Sequence, residues 1–137
     1  MKDLFNNIGV VTVIPAAEYD DDNTPAAIDL RGFNSAVIAL SIGVGGITFT
    51  TNNKIEFKLT HSNDDSSYEA VTVADLQGVD EVGTGGIIHA LTAAHANPTL
   101  TKIGYVGGRR YLKLLADFAG THGTGTPISA VALLGDA

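Results

Sequence analysis

Between residues 55 and 61 the chain alternates with a period of two: Ile55, Phe57 and Leu59 fall on one side, Glu56, Lys58 and Thr60 on the other. Successive side chains of an extended strand point to opposite faces, so this pattern suits a strand with one face in a core and the other in water. Directly after it, Ser62-Asn63-Asp64-Asp65-Ser66-Ser67 is a run of turn formers whose side chains bond their own backbone. Tyr68 to Val73 then resumes an extended pattern. Strand, turn and strand together predict a β-hairpin.

Similar short runs recur along the chain. Ile8 to Ile14, Ala36 to Ile42, Ile47 to Thr50, Ile87 to Leu91, Leu100 to Val106, Tyr111 to Ala119 and Ile128 to Leu134 are apolar and mostly β-branched or aromatic, with Gly, Asn, Asp, Thr or Pro between them. In Leu112 to Phe118, Leu and Ala also favour helix. The two-residue period of Leu112, Leu114, Ala116 and Phe118 selects a strand, and Gly107-Gly108 before it allows a tight reversal from the run ending at Val106. The glycine-rich stretches at 43–46, 83–86 and 120–125 read as loops, and helix is confined to a turn near Val73 to Gln77 that Gly78 can end. About nine short strands without alternating helices predict an all-β fold. At 137 residues the chain has the size of one domain. We expect a single-domain antiparallel β-sandwich, jelly-roll-like, over residues 16–137, preceded by an N-terminal arm or edge strand over residues 1–15.

Composition removes several classes of function. With no cysteine there is no disulfide framework, thiolate zinc site or thiol nucleophile. Fifteen acidic against eight basic residues give a net charge of −7, which repels a polyphosphate backbone, so no nucleic-acid partner is expected. The apolar run from Ile8 to Ile14 is too short to cross a bilayer, so no membrane partner is expected either, and the protein is expected to be made in the cytoplasm.

His61, His89, His95 and His122 lack the spacing of a helical zinc motif. Asp20-Asp21-Asp22-Asn23 and Asn63-Asp64-Asp65-Ser66 supply oxygen ligands but not the alternating calcium-loop pattern, and Asp64 and Asp65 have a turn to build. The serines carry no nucleophile-elbow motif, and the glycine-rich stretches lack the Lys-Ser/Thr ending of a phosphate loop. No catalytic residue, cofactor or metal ligand is nominated, and no enzyme is expected. Tyr68 and Tyr105 keep a carbohydrate- or receptor-binding reading open.

The features that remain suit an interaction protein. Ala36 to Ile42 and Ala130 to Leu134 are nearly free of polar groups, as in strands covered on both faces by a second sheet or another subunit. Charge is uneven: residues 1–30 hold Asp3, Glu18, Asp20, Asp21, Asp22 and Asp29 against Lys2, while residues 101–120 hold Lys102, Arg109, Arg110 and Lys113 against Asp117. Such asymmetry either orients a partner or is two solvated patches.

Three segments, Ile28 to Ala36, Phe57 to Tyr68 and Ile103 to Lys113, with the closing Ala130-Val131-Ala132-Leu133-Leu134-Gly135-Asp136, are similar in order and spacing to a family of small proteins encoded among the head genes of tailed bacteriophages and prophages. The resemblance covers roughly residues 28–136. It departs from the family in the alanine-rich stretch 90–96 and the glycine loop near Gly83. It implies a virion component on the capsid surface: a decoration or cement protein whose partner is the major capsid protein and which forms a homo-oligomer, with a trimer favoured. A receptor- or sugar-binding virion module, or another minor head or tail protein, is the alternative. In this picture Leu4, Phe5, Ile8 and Val10 of the N-terminal segment are candidate bridging contacts. Asp20, Asp21, Asp22, Arg109 and Arg110 are candidate rim contacts, although Arg109 and Arg110 equally suit an internal brace.

Overall fold

The structure is a computed structural model that describes residues 1–135; Asp136 and Ala137, the end of the expected domain, lie outside the described residues. Ten strands follow in order: β1 (Ile8–Tyr19), β2 (Ile28–Asp29), β3 (Ser35–Ile42), β4 (Lys54–Ser62), β5 (Glu69–Ala70), β6 (Leu76–Gln77), β7 (Ile87–Leu91), β8 (Thr99–Tyr105), β9 (Tyr111–Ala119) and β10 (Thr126–Gly135). They form two antiparallel sheets. The first runs β1-β10-β3-β8-β6 and the second β2-β9-β4-β5, with β7 also paired to β4. The pairings nest: β1 with β10, β2 with β9, β3 with β8, β4 with β7, alternating between sheets. A long double ribbon rolled over itself has this connectivity, which makes the all-β sandwich a jelly roll.

The alternation seen in the sequence is the alternation of burial. Ile55, Phe57 and Leu59 of β4 and Leu112, Leu114 and Ala116 of β9 are buried, and they face Ile38, Leu40 and Ile42 of β3, Ile103 of β8 and Ala130 and Ala132 of β10. Each large side chain so buried stabilises the fold by about 1.5–3 kcal/mol relative to exposure. His61 of β4 and Tyr105 of β8 join the two layers through a 2.8 Å hydrogen bond, and the Arg109 backbone N–H donates to the same tyrosine oxygen at 3.1 Å. With its oxygen accepting from Arg109, the Tyr105 hydroxyl is free to donate to His61 Nδ1. Burial lowers the His61 pKa, which suits a neutral ring in that role.

The sequence reading and the structure part in several places. Helix is not confined to Val73–Gln77: a 3-10 turn also forms at Phe5–Asn7, and Leu76–Gln77 leaves the Val73–Asp75 turn to pair with β8 as β6. β1 lies at the edge of the first sheet and runs through Pro15 to Tyr19. The register against β10 slips at Thr12/Ile14 and again at Ile14/Ala17. The first slip lets the adjacent Val13 and Ile14 both be buried, and the second takes up Pro15, which has no N–H to give to a ladder. Ile47–Thr50 is not a strand: the Thr50 hydroxyl accepts from the Asn52 and Asn53 backbone N–H groups and curls the chain, while Phe49 fills the core. Gly107-Gly108 does not close a hairpin between β8 and β9, because those strands belong to different sheets and the turn carries the chain from one layer to the other. Gly108 has φ +75°, and a Cβ on Gly107 would lie 2.7 Å from the Tyr105 ring, so the crossing needs both glycines.

Candidate functional site: an apolar sheet face and an arginine cleft

Strand register determines which side chains stand together on the outside of the first sheet. One row across it is Val10, Leu133, Val37, Gly104 and Gln77; the next is Thr12, Val131, Ala39 and Lys102; a third is Ser129, Ser41 and Leu100. Val10 is 62% exposed and Leu100 74%, and Lys102 is the one charge in these rows. The two mainly apolar runs, Ala36 to Ile42 and Ala130 to Leu134, are therefore covered on one face by the second sheet and open on the other within this chain. Their other face is an open surface of valine, leucine and small residues, the composition of a contact surface.

The edge of the same sheet is open as well. β1 is twelve residues long and pairs with β10 alone, whereas the opposite edge strand, β6, has two residues. A long unpaired edge is a template for another strand. Leu4, Phe5, Ile8 and Val10 all belong to this border: Phe5 opens a single 3-10 turn (Phe5–Asn7) that leads into Ile8, and Leu4 and Phe5 are exposed while Ile8 is half-buried. The side chains of Asn6 and Asn7 tie this turn to Asp3.

Arg109 and Arg110 sit at one end of the sandwich. The Arg110 guanidinium makes a two-pronged pair with Asp29 of β2, both contacts at 2.9 Å, and lies over the Tyr111 ring; Arg109 pairs with Glu69 of β5 at 2.9 Å. The Arg110 guanidinium holds the Asp29 carboxyl down to about pH 2 as its pKa. Both arginines thus brace the crossover turn within the domain, and both also line an open cleft of about 400 Å³ together with Arg31, Phe33, Asn34 and Asn63.

Asp20, Asp21 and Asp22 stand at the other end. Tyr19 pairs with Thr126, and the Asp22 carboxylate accepts from the Phe118 N–H at 2.7 Å. Asn23, which is buried, accepts from Ala116 N–H at 2.7 Å and donates to the Leu114 carbonyl at 3.2 Å. These two side chains stand in for a neighbouring strand along the half of β9 that β2 does not cover. The structure therefore brings the four N-terminal candidates to one sheet border, and it sets the acidic and basic candidates at opposite ends.

Asp64 caps its own turn, accepting from the Ser66 and Ser67 N–H groups and the Ser62 hydroxyl, and these bonds bring its pKa to about 2. Tyr68, considered for sugar binding, donates to Asp65 and lies under the Lys113 amine; Tyr105 is buried. Among the described residues no group of three or more His, Asp or Glu is placed to hold a metal ion. Sequence reasoning missed Val37, Val131, Leu133 and Leu100 as surface residues, because an apolar run does not say which of its faces is covered. It missed Arg31 because that residue is far in sequence from Arg109 and Arg110.

In class, the molecule is a jelly-roll β-sandwich with one bare sheet face and one open edge. No family model matches the chain, and no curated protein matches it. Among solved structures it is similar to the SPBc2 prophage-derived protein YomS, with 12% sequence identity, a TM-score of 0.47, and coverage of 95% of this chain and 94% of that one.

Proposed function

We propose that this protein is a structural virion subunit: a decoration or cement protein that binds the outer surface of a tailed-phage capsid and stabilises it, with the major capsid protein as partner. The observation that carries the reading is the outer face of the first sheet, where Val10, Leu133, Val37, Val131 and Leu100 form an apolar surface continuous with the open β1 edge. A protein that works by adhesion needs a rigid scaffold with such a face, and the nested sheets supply the rigidity. The resemblance of residues 28–136 to small head-gene proteins supports the same reading. The bare face would lie on the shell, the β1 edge and the Leu4–Phe5 segment would reach toward a neighbouring capsid subunit, and the charged outer face of the second sheet would face solvent.

The test is addition of the purified protein to expanded shells that lack it. Saturable binding at a fixed ratio to the major capsid protein is expected, together with a higher temperature for shell rupture. Leu133→Lys should abolish binding while leaving the circular dichroism spectrum unchanged. Absence of the protein from purified particles, or undiminished binding by the lysine variant, overturns the reading. Glycan binding by the isolated chain, lost on changing Tyr68, would favour a receptor-binding module instead.

A further inference from the structure

The chain contains three arginines, Arg31, Arg109 and Arg110, and all three line the one cleft at the β2 end of the sandwich, in a protein whose net charge is −7. Arg109 and Arg110 are held in place by Glu69 and Asp29, and each guanidinium keeps further N–H donors beyond the ones so used. Arg31 is exposed and has no ion pair among the described residues. Planar guanidinium groups gathered around an open cleft that also carries Asn63 suit carboxylates.

The densest supply of carboxylates in the chain is Glu18, Asp20, Asp21 and Asp22, and Glu18, Asp20 and Asp21 are exposed. This segment cannot reach its own cleft. It is anchored at Phe118, and the cleft lies at Arg110, eight residues back along β9, which is about 26 Å at roughly 3.3 Å per residue. Acidic and basic surfaces at opposite poles of a rigid body are complementary between copies.

We propose that the Glu18–Asp22 segment of one copy seats in the Arg31–Arg109–Arg110 cleft of the next, so that the chain associates head to tail. Each copy then offers one acidic segment and one cleft. Such a contact closes into a ring when the rotation it imposes divides the circle, and a trimer is one such closure. The contact touches β1 only at its last two residues, Glu18 and Tyr19, and leaves Val10, Val37, Leu100, Val131 and Leu133 free, so it does not depend on what covers the apolar face.

Sedimentation velocity of the full chain tests this. The native protein should sediment as an oligomer at low ionic strength and dissociate as salt is raised, since exposed charge pairs are screened. Arg31→Glu alone and the double change Asp20→Ser with Asp21→Ser alone should each give monomers with unchanged circular dichroism, because these side chains are exposed. An equimolar mixture of the two variants should form one-to-one dimers and nothing larger, since one retains the acidic segment and the other the cleft. A native chain that is monomeric at low salt, oligomers that persist in both variants, or a mixture that stays monomeric each overturns the proposal. Shell binding is read separately. Its loss with the oligomer intact strikes the decoration reading alone, and its retention by a monomeric native chain strikes the head-to-tail contact alone.

Discussion

On the outside of the second sheet, Lys54, Glu56 and Lys58 of β4 lie beside Lys113 and Asp117 of β9, whereas the outside of the first sheet is mostly valines, leucines and small residues, with Lys102 toward one side and Glu18 at the end of β1. The charged face is organised in detail. Glu56 stands directly opposite Asp117, a repulsive register, and Lys54 answers Glu56 at 3.4 Å while Lys58 answers Asp117 at 2.7 Å. The Asp117 carboxylate raises the pKa of the Lys58 amine. The edges differ in the same sense: Asp22 and Asn23 close the free half of β9, and nothing among the described residues closes β1. One layer finishes its own surface with paired charges, and the other leaves its surface apolar and its edge open.

That contrast stops at the core, where both sheets contribute equivalent inner faces, and the largest predicted effects lie there. Phe57→Ala in the second sheet should cost about 3–5 kcal/mol and Ile38→Ala in the first about 2–5 kcal/mol, measured by urea unfolding, since each removes a fully buried side chain from a shared core. If one sheet tolerated its truncation at under about 1 kcal/mol, the two inner faces would not be one packed unit.

The closed edge gives the next effect. Asn23→Ala removes the acceptor for the Ala116 N–H and the donor to the Leu114 carbonyl, both inside the fold, and should cost about 1–3 kcal/mol. Amide exchange at Ala116 should accelerate, while exchange along β3, in the middle of the other sheet, should change only with global stability. Equal acceleration in both places would mean that the edge cover by Asn23 is not local.

Acid should act most strongly through two carboxylates of the second layer, with smaller contributions from Asp75 and Asp3, whose hydrogen bonds to Thr72 and Asn6 also lower their pKa values. Asp29 on β2 and Asp64 in the β4–β5 turn are held at about 2, by Arg110 in the first case and chiefly by the Ser67 N–H in the second. Their folded pKa values lie below the unfolded value of about 3.9. The native state therefore binds fewer protons, and their contribution is present above about pH 4 and lost as pH falls toward 2. His61 works in the same direction at higher pH. Burial lowers its pKa, so the unfolded chain takes up the proton first and stability falls as pH drops below about 6.5. The pH dependence of unfolding between 4 and 2 should be flattened by Asp29→Asn with Asp64→Asn and left unchanged by Leu133→Lys. The reverse would assign the acid sensitivity to the wrong layer.

Much of this architecture is written locally. The 55–61 strand, the Asp64 turn and the two-residue period of β9 all follow from side chains acting on their own backbone or on one face, and the helical turn expected over Val73–Gln77 survives only as a 3-10 turn at Val73–Asp75 that the Thr72–Asp75 capping box builds. What escaped depends on distance. That β8 and β9 belong to different layers is decided by which strands flank them, and nothing in Gly107-Gly108 distinguishes a hairpin from a crossover. Pro15 looked like a terminus because the bulge that accommodates it is made by the partner strand. That Leu4, Phe5 and Val10 are exposed apolar residues near one sheet edge is a matter of fold as well as of hydrophobicity. The bare sheet face was not legible in the sequence, because Val37 and Ile38 are chemically alike and only the fold decides which of them meets the core.

The smallest effects on stability separate the two outer faces most sharply. Lys58→Met removes a half-exposed ion pair with Asp117 and should cost about 0.2–1 kcal/mol, less at high salt. Leu133→Thr, on the other face, keeps a β-compatible residue at a position already 36% exposed and should move stability by no more than about 0.5 kcal/mol in either direction. If Leu133 contributed only to folding, these two changes would be interchangeable in every assay. If the first sheet awaits a partner, Leu133→Thr should weaken shell binding severalfold while Lys58→Met leaves it intact, because the energetic role of Leu133 is exercised against a surface outside the chain. Unequal binding with near-equal stability is the signature of a face kept apolar for contact, and equal binding would return that face to the ordinary population of exposed hydrophobic residues.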